Sequence, residues 1–338
     1  MGGYGQNDYG CPKNLGVYLA NGIITLQNKF FFGLLKGVNG YRPMRHEYAD
    51  QEANDLIRNL VASGKPFLVS RFGTGELNAA VRGWDISRKA SKIVKFLGLF
   101  TGDYGPLWWD NSIKLGLIRN AGVFPVDDDS NMRFADKMLE SSRQIDVLAS
   151  WIIREAQLAK AYFPTAKAVS MRSLVPFFFD NPWSSALKKR KVLVVHPFAA
   201  TIDSQYKSKS LLFADTTVLP DFELVTYKSV MSFAGIKTPY KDWFEALDKM
   251  CSDIADIDFD IALIGCGAYG MPIGAFIKRD LHRQAIHIGG ALQLLFGIKG
   301  SRWDDREAYR AFYNEHWVRP DVSERPARAN DVEGACYW

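Results

Sequence analysis

An α/β fold with a mainly parallel sheet flanked by helices is what this sequence predicts, on three observations. In the second half, short β-branched apolar runs alternate with helical patterns, which implies strands joined by helical crossovers. Glycine-rich turns stand between strand and helix, where such sheets hold ligands. The chain has 338 residues, 47% of them hydrophobic, enough for a large core.

Taken in order, residues 1–45 are rich in Gly, Asn and Tyr with weak periodicity and read as an N-terminal extension to the main domain, 46–300. From Glu47 to Ser63 the apolar positions Ala53, Leu56, Ile57, Leu60 and Val61 recur at helical spacing, and Gly64 and Pro66 end the segment. A buried strand is expected at Pro66 to Ser70. The stretch 85–165 reads as a helix-rich insertion or half-domain, with helices over Ile113 to Arg119, Met132 to Arg143 and Trp151 to Tyr162, and a short strand at Ile145 to Ala149.

The alternation becomes clear beyond residue 190. Strands are expected at Val192 to Val195, Glu223 to Tyr227, Phe259 to Ile264 and Ala285 to Ile288. Between them lie a polar helix over 203–213, a helix started by Thr238 and Pro239 and running to Ala255, and one ending at Phe276. The tail 301–338 is charged and aromatic, and reads as a C-terminal strap over the domain.

Composition excludes several classes. The balance of 42 Lys plus Arg against 37 Asp plus Glu is too mild for a nucleic-acid partner and suits a local anionic ligand better. Cys11, Cys251, Cys266 and Cys336 form no CxxC pair, so neither a zinc knuckle nor a disulfide framework is expected, and a reducing cytoplasm is. The N-terminus lacks signal-peptide features. The apolar run Phe30 to Leu35 is broken by Gly33 and far short of the roughly 20 residues a membrane helix needs, which leaves only peripheral membrane contact open.

Three loops hold the candidate chemistry. Ser70-Arg71-Phe72-Gly73-Thr74-Gly75-Glu76 follows a strand: Gly73 and Gly75 let backbone approach a ligand, Arg71 offers a forked cationic donor, and Glu76 puts a carboxylate at a helix start. Gly265-Cys266-Gly267-Ala268-Tyr269-Gly270 is a GxGxxG between strand and helix, a cradle for a pyrophosphate on backbone N–H groups. A dinucleotide site would also want an acid near the end of the next strand, but that strand runs into Gly289-Gly290. Close helix–strand packing would use the same glycines. His196 closes a strand where parallel sheets place ligands, as a phosphate or acceptor contact. Asp127-Asp128-Asp129 reads as a solvated loop rather than a cation site. Trp108, Trp109, Trp243 and Trp303 are either stacking platforms or core.

With those loops in place, the chain resembles the GT-D-type glycosyltransferases and GT-D-like proteins of bacterial capsule and O-antigen loci. The resemblance rests on Arg71 to Glu76, Val194 to Phe198, Asp260 to Gly270, Ala285 to Gly290, Gln293 to Gly300 and Val332 to Trp338, spread over most of 65–338. It implies a Rossmann-like domain that binds a nucleotide diphosphate sugar and passes the sugar to a growing glycan or lipid-linked glycan, at the inner face of the membrane. The family loop reads Arg-x-Gly-Asp-Gly-Glu, whose Asp and Glu are associated with Mn²⁺ or Mg²⁺. Here Thr74 stands in place of that Asp, so Glu76 is the single carboxylate left for metal or base. The rivals are a catalytically silent binder of sugar nucleotide or glycan and an NAD(P)-dependent sugar oxidoreductase.

Overall fold

The structure is a computed structural model and describes residues 42–101, 103–331 and 334–338. Seven strands form one sheet: β1 (Phe67–Ser70), β2 (Val147–Ala149), β3 (Lys167–Val169), β4 (Lys191–His196), β5 (Glu223–Lys228), β6 (Ile261–Ile264) and β7 (Gln284–His287). Their spatial order is β3-β2-β1-β7-β6-β4-β5, and every neighbouring pair is parallel. The expected α/β class holds, with a sheet parallel throughout.

β1, β6 and β7 are buried along their whole length, because helices cover both faces and leave no polar side. Successive side chains therefore feed two cores. Val69, Val192, Val194 and Leu263 enter the core shared with the helix Asp50–Ala62, while Leu68, Leu193, Val195 and Ile264 enter the one shared with Thr74–Ser87, Asp128–Ser142 and Trp243–Ala255. Trp243, Ala246, Leu247, Met250 and Ile254 show how a helix is committed to that layer, since they fall on one stripe.

The strand order fixes where a ligand can sit. The helix after β4, Ala199–Lys207, sends Ile202 into the first core, whereas the helix after β6, Gly270–Arg279, sends Ile273 and Ile277 into the second. The chain thus leaves two adjacent strands on opposite faces. The crevice this opens at their carboxyl ends is the usual ligand position of doubly wound sheets.

Within the stretch 85–165 the expected short strand is β2, which pairs with β1 through Val69 and Val147 and joins this stretch to the sheet. Four expectations on the elements are corrected. β3 was not expected. The helix ending at Ala255 starts at Trp243, where the Asp242 side chain accepts from Glu245 N–H at 2.8 Å, and not at Thr238-Pro239. Asp127 caps the helix Asp128–Ser142, with Asp128 and Asp129 in its first turn, where acidic side chains suit the helix dipole. The polar helix expected over 203–213 covers Ala199–Lys207 instead, followed by a 3₁₀ turn at Lys209–Leu211. The run Phe30 to Leu35 lies outside the described residues; among these, no helix is long and apolar enough to cross a membrane.

Candidate functional site

At the carboxyl edge of the sheet lies a cavity of about 690 Å³, within the size range of small-molecule sites. The segments after all seven strands contribute to its wall, among them Arg71 after β1, Trp151 after β2, Arg172 after β3, Ser229 after β5 and Gly267 after β6. The 301–338 tail closes it with Arg302, Trp303, Arg306, Tyr309, Tyr337 and Trp338. Backbone bonds hold that tail in place: Ser301 N–H donates to Trp338 O and Arg302 N–H to Cys336 O.

Of the residues singled out in the sequence, Arg71, Gly73, Thr74, Gly75, Glu76, His196, Gly265, Gly267, Tyr269, Gly289 and Gly290 all line this one cavity. Gly270 does not. It opens the helix Gly270–Arg279, and a Cβ there would stand 2.4 Å from the His287 ring, so its role is packing. Tyr269 is a wall residue with its hydroxyl taken: the ring stacks on Trp243 at 4.8 Å, and the OH lies 2.8 Å from Ser232 Oγ. Gly267 is the open point of the loop. Its φ is +62° and nothing lies within 4 Å of where a Cβ would be, so it is glycine for its backbone conformation.

The charge pattern of the wall is lopsided. Arg71, Arg172, Arg302 and Arg306 line it together with a single acidic side chain, Glu76. Arg71 directs Nε and Nη2 onto Phe72 O at 3.0 and 2.7 Å, which aims the guanidinium beside Gly289. Glu76 sits in the first turn of its own helix, and Gly73 makes room for it, since a Cβ there would lie 2.0 Å from the carboxylate. Burial raises the Glu76 pKa above its usual 4.5, opposed by Arg71 and by the residue's own backbone N–H. The residues present do not fit a protein-held Mn²⁺ or Mg²⁺: one carboxylate among four guanidiniums is a poor cage for a hard cation. Among the described residues no three His, Cys, Asp or Glu are gathered to hold a metal.

Two histidines complete the polar wall. His196 Nδ1 accepts from Phe198 N–H at 3.0 Å, and burial lowers its pKa to about 3, so the ring is neutral with its proton on Nε2. His287 lies with Nδ1 3.1 Å from Ser70 Oγ and is likewise held neutral, its pKa lowered to about 3 by burial and by Arg71. Ser229 Oγ and Gln293 Oε1, on residues at the same wall, are buried and lack a partner among the described residues.

Sequence reasoning missed His287, Trp151, Arg172, Arg302, Arg306 and Tyr337. For His287 a signal existed, a histidine closing a strand just before Gly289-Gly290. Of the four tryptophans considered, Trp303 lines the cavity, Trp109 and Trp243 are core, and Trp108 packs beside Leu99 and Tyr104. Comparison of the chain with protein-family models, with curated proteins and with solved structures finds no match.

Proposed function

We propose that this chain is a glycosyltransferase that takes a nucleotide diphosphate sugar into the cavity and transfers the sugar to a glycan acceptor. The observation that carries the reading is the wall of four arginines and one carboxylate at the switch point of a parallel sheet. A diphosphate answers the charge of that wall. In this reading the loop between Gly265 and Gly270 presents backbone N–H groups, and Arg71, whose Nε and Nη2 are held on Phe72 O, turns Nη1 beside Gly289 toward the charge that grows on the leaving diphosphate. Glu76 takes the proton of the acceptor hydroxyl as that oxygen attacks the anomeric carbon and the bond to the diphosphate breaks. The NAD(P) alternative is disfavoured because β7 runs from His287 into Ile288 and Gly289, with no acid there for a ribose.

Titration calorimetry against UDP-, GDP-, CMP- and dTDP-sugars, NAD and NADP tests the reading. At least one sugar nucleotide is expected to bind and the dinucleotides not; tighter NAD(P) binding would reverse the assignment. Gly267→Val is expected to weaken the bound nucleotide's affinity, because a branched side chain obstructs the loop's approach to phosphate. Its stability should fall by roughly 1–2 kcal/mol, the cost of a left-handed backbone with a Cβ. A folded variant with unchanged affinity would show that the loop only packs.

A further inference from the structure

We propose that the helix Lys92–Thr101, with Lys89 just before it, docks this protein on an anionic lipid surface. The helix faces the wrong way for a core element. Its protein side is narrow: Leu99 packs with Tyr104, Ala90, Leu107 and Trp108, and Gly98 lets Tyr104 approach, since a Cβ at Gly98 would lie 2.4 Å from that ring. On the other side Ile93, Val94 and Leu97 are 72%, 52% and 56% exposed. Leu97 lies one turn beyond Ile93 and Val94, so the three form an apolar strip turned to solvent.

Charge selects the occupant. From Ile86 to Thr101 the chain holds Arg88, Lys89, Lys92 and Lys95 and neither Asp nor Glu. Arg88 is committed to Asp85, and Lys95 donates to Ile86 O, while Lys89 and Lys92 are exposed beside the apolar strip. An amphipathic helix with exposed aliphatic side chains flanked by lysines fits the boundary between anionic headgroups and acyl chains.

The docking helix is also tied to the cavity. Arg88 and Arg154 both donate to Asp103 O just after the helix, and Arg154 follows β2 in the loop that contributes Trp151 to the cavity wall. The docking itself does not rest on the transferase reading, since its test needs no turnover.

The experiment is co-sedimentation of the full chain with vesicles of phosphatidylcholine alone and of phosphatidylcholine with phosphatidylglycerol, at low and raised salt. Binding is expected on the anionic vesicles and should weaken with salt. Lys89→Glu with Lys92→Glu should lower affinity by about fivefold for each charge lost. Ile93→Glu with Leu97→Glu should reduce it by at least about tenfold, with an unchanged melting temperature because both side chains are exposed. The lysine variant alters no apolar contact, so it decides the matter even if the glutamate pair folds poorly. Equal binding to both vesicle types, no binding, or unaffected variants would overturn the proposal. So would light scattering that shows a wild-type dimer split by Ile93→Glu with Leu97→Glu, which would make this face a contact between copies.

Discussion

Glu76→Gln is expected to cut sugar transfer by a factor on the order of 10² or more, the usual loss for a positioned base, while raising the melting temperature at neutral pH. The two effects have one cause. Burial raises the Glu76 pKa above 4.5, so the folded protein holds that proton more tightly than the unfolded chain does. Stability from this group is therefore fully present below 4.5 and is lost as pH rises through the folded value. At pH 7 the ionised carboxylate is a cost that the neutral amide removes. The gain should vanish in melts taken below the unfolded value. Turnover should follow the opposite course, since a base works only when deprotonated, and the acid limb of the rate profile should lie above the pKa of a free glutamate. Donor affinity should change little, because the proposed reading assigns the diphosphate to Arg71 and the 265–270 loop. If wild type turns over no donor and Glu76→Gln alters neither stability nor its pH dependence, the silent-binder reading replaces the catalytic one.

What could be read from sequence depended on whether the physics was local. β4 and β6 were legible because strands covered on both faces become continuous apolar runs. β3 was not, since Lys167-Ala168-Val169 is three residues long, too short for any period, and is held by its register with β2. Two start signals competed before Ala255. Asp242 prevailed over Thr238-Pro239 because its carboxylate reaches Glu245 N–H while Trp243 N–H donates to Phe124 O, a partner more than a hundred residues away. The same division holds in the cavity. Its glycine loops announce themselves, because a turn that must leave a strand tightly has few residue choices. Arg172, Arg302 and Arg306 carry no local pattern; only the closing of the tail over the sheet edge turns scattered arginines into one wall.

Asp85→Ala is expected to destabilise the fold by about 3–5 kcal/mol, the range for removing one partner of a buried ion pair, and to lower the melting temperature by on the order of 10 °C. Asp85 is fully buried and accepts from Arg154 Nη1 at 2.6 Å, Arg154 Nη2 at 3.1 Å, Arg88 Nη2 at 2.6 Å and Gly105 N–H at 2.7 Å. Alanine leaves two guanidiniums without their counter-charge and an amide without its acceptor, and each loss is a desolvation cost with no compensation. Arg88 has a partial refuge over the Tyr104 ring at 3.6 Å, whereas Arg154, a non-glycine residue at φ 77°, has its backbone strain held in place by the pair itself. Adding Arg154→Met should therefore recover part of the loss, because the deeper stranded charge is gone. Urea melts of the single and double variants decide this, and a single variant losing under about 1 kcal/mol would show that the cluster is solvated. The loss should not be confined to one helix. Arg154 and Arg88 join the loop of Trp151 to Asp103, just after the helix Lys92–Thr101, so hydrogen exchange in Asp85→Ala should quicken at 103–105 and 150–154 together.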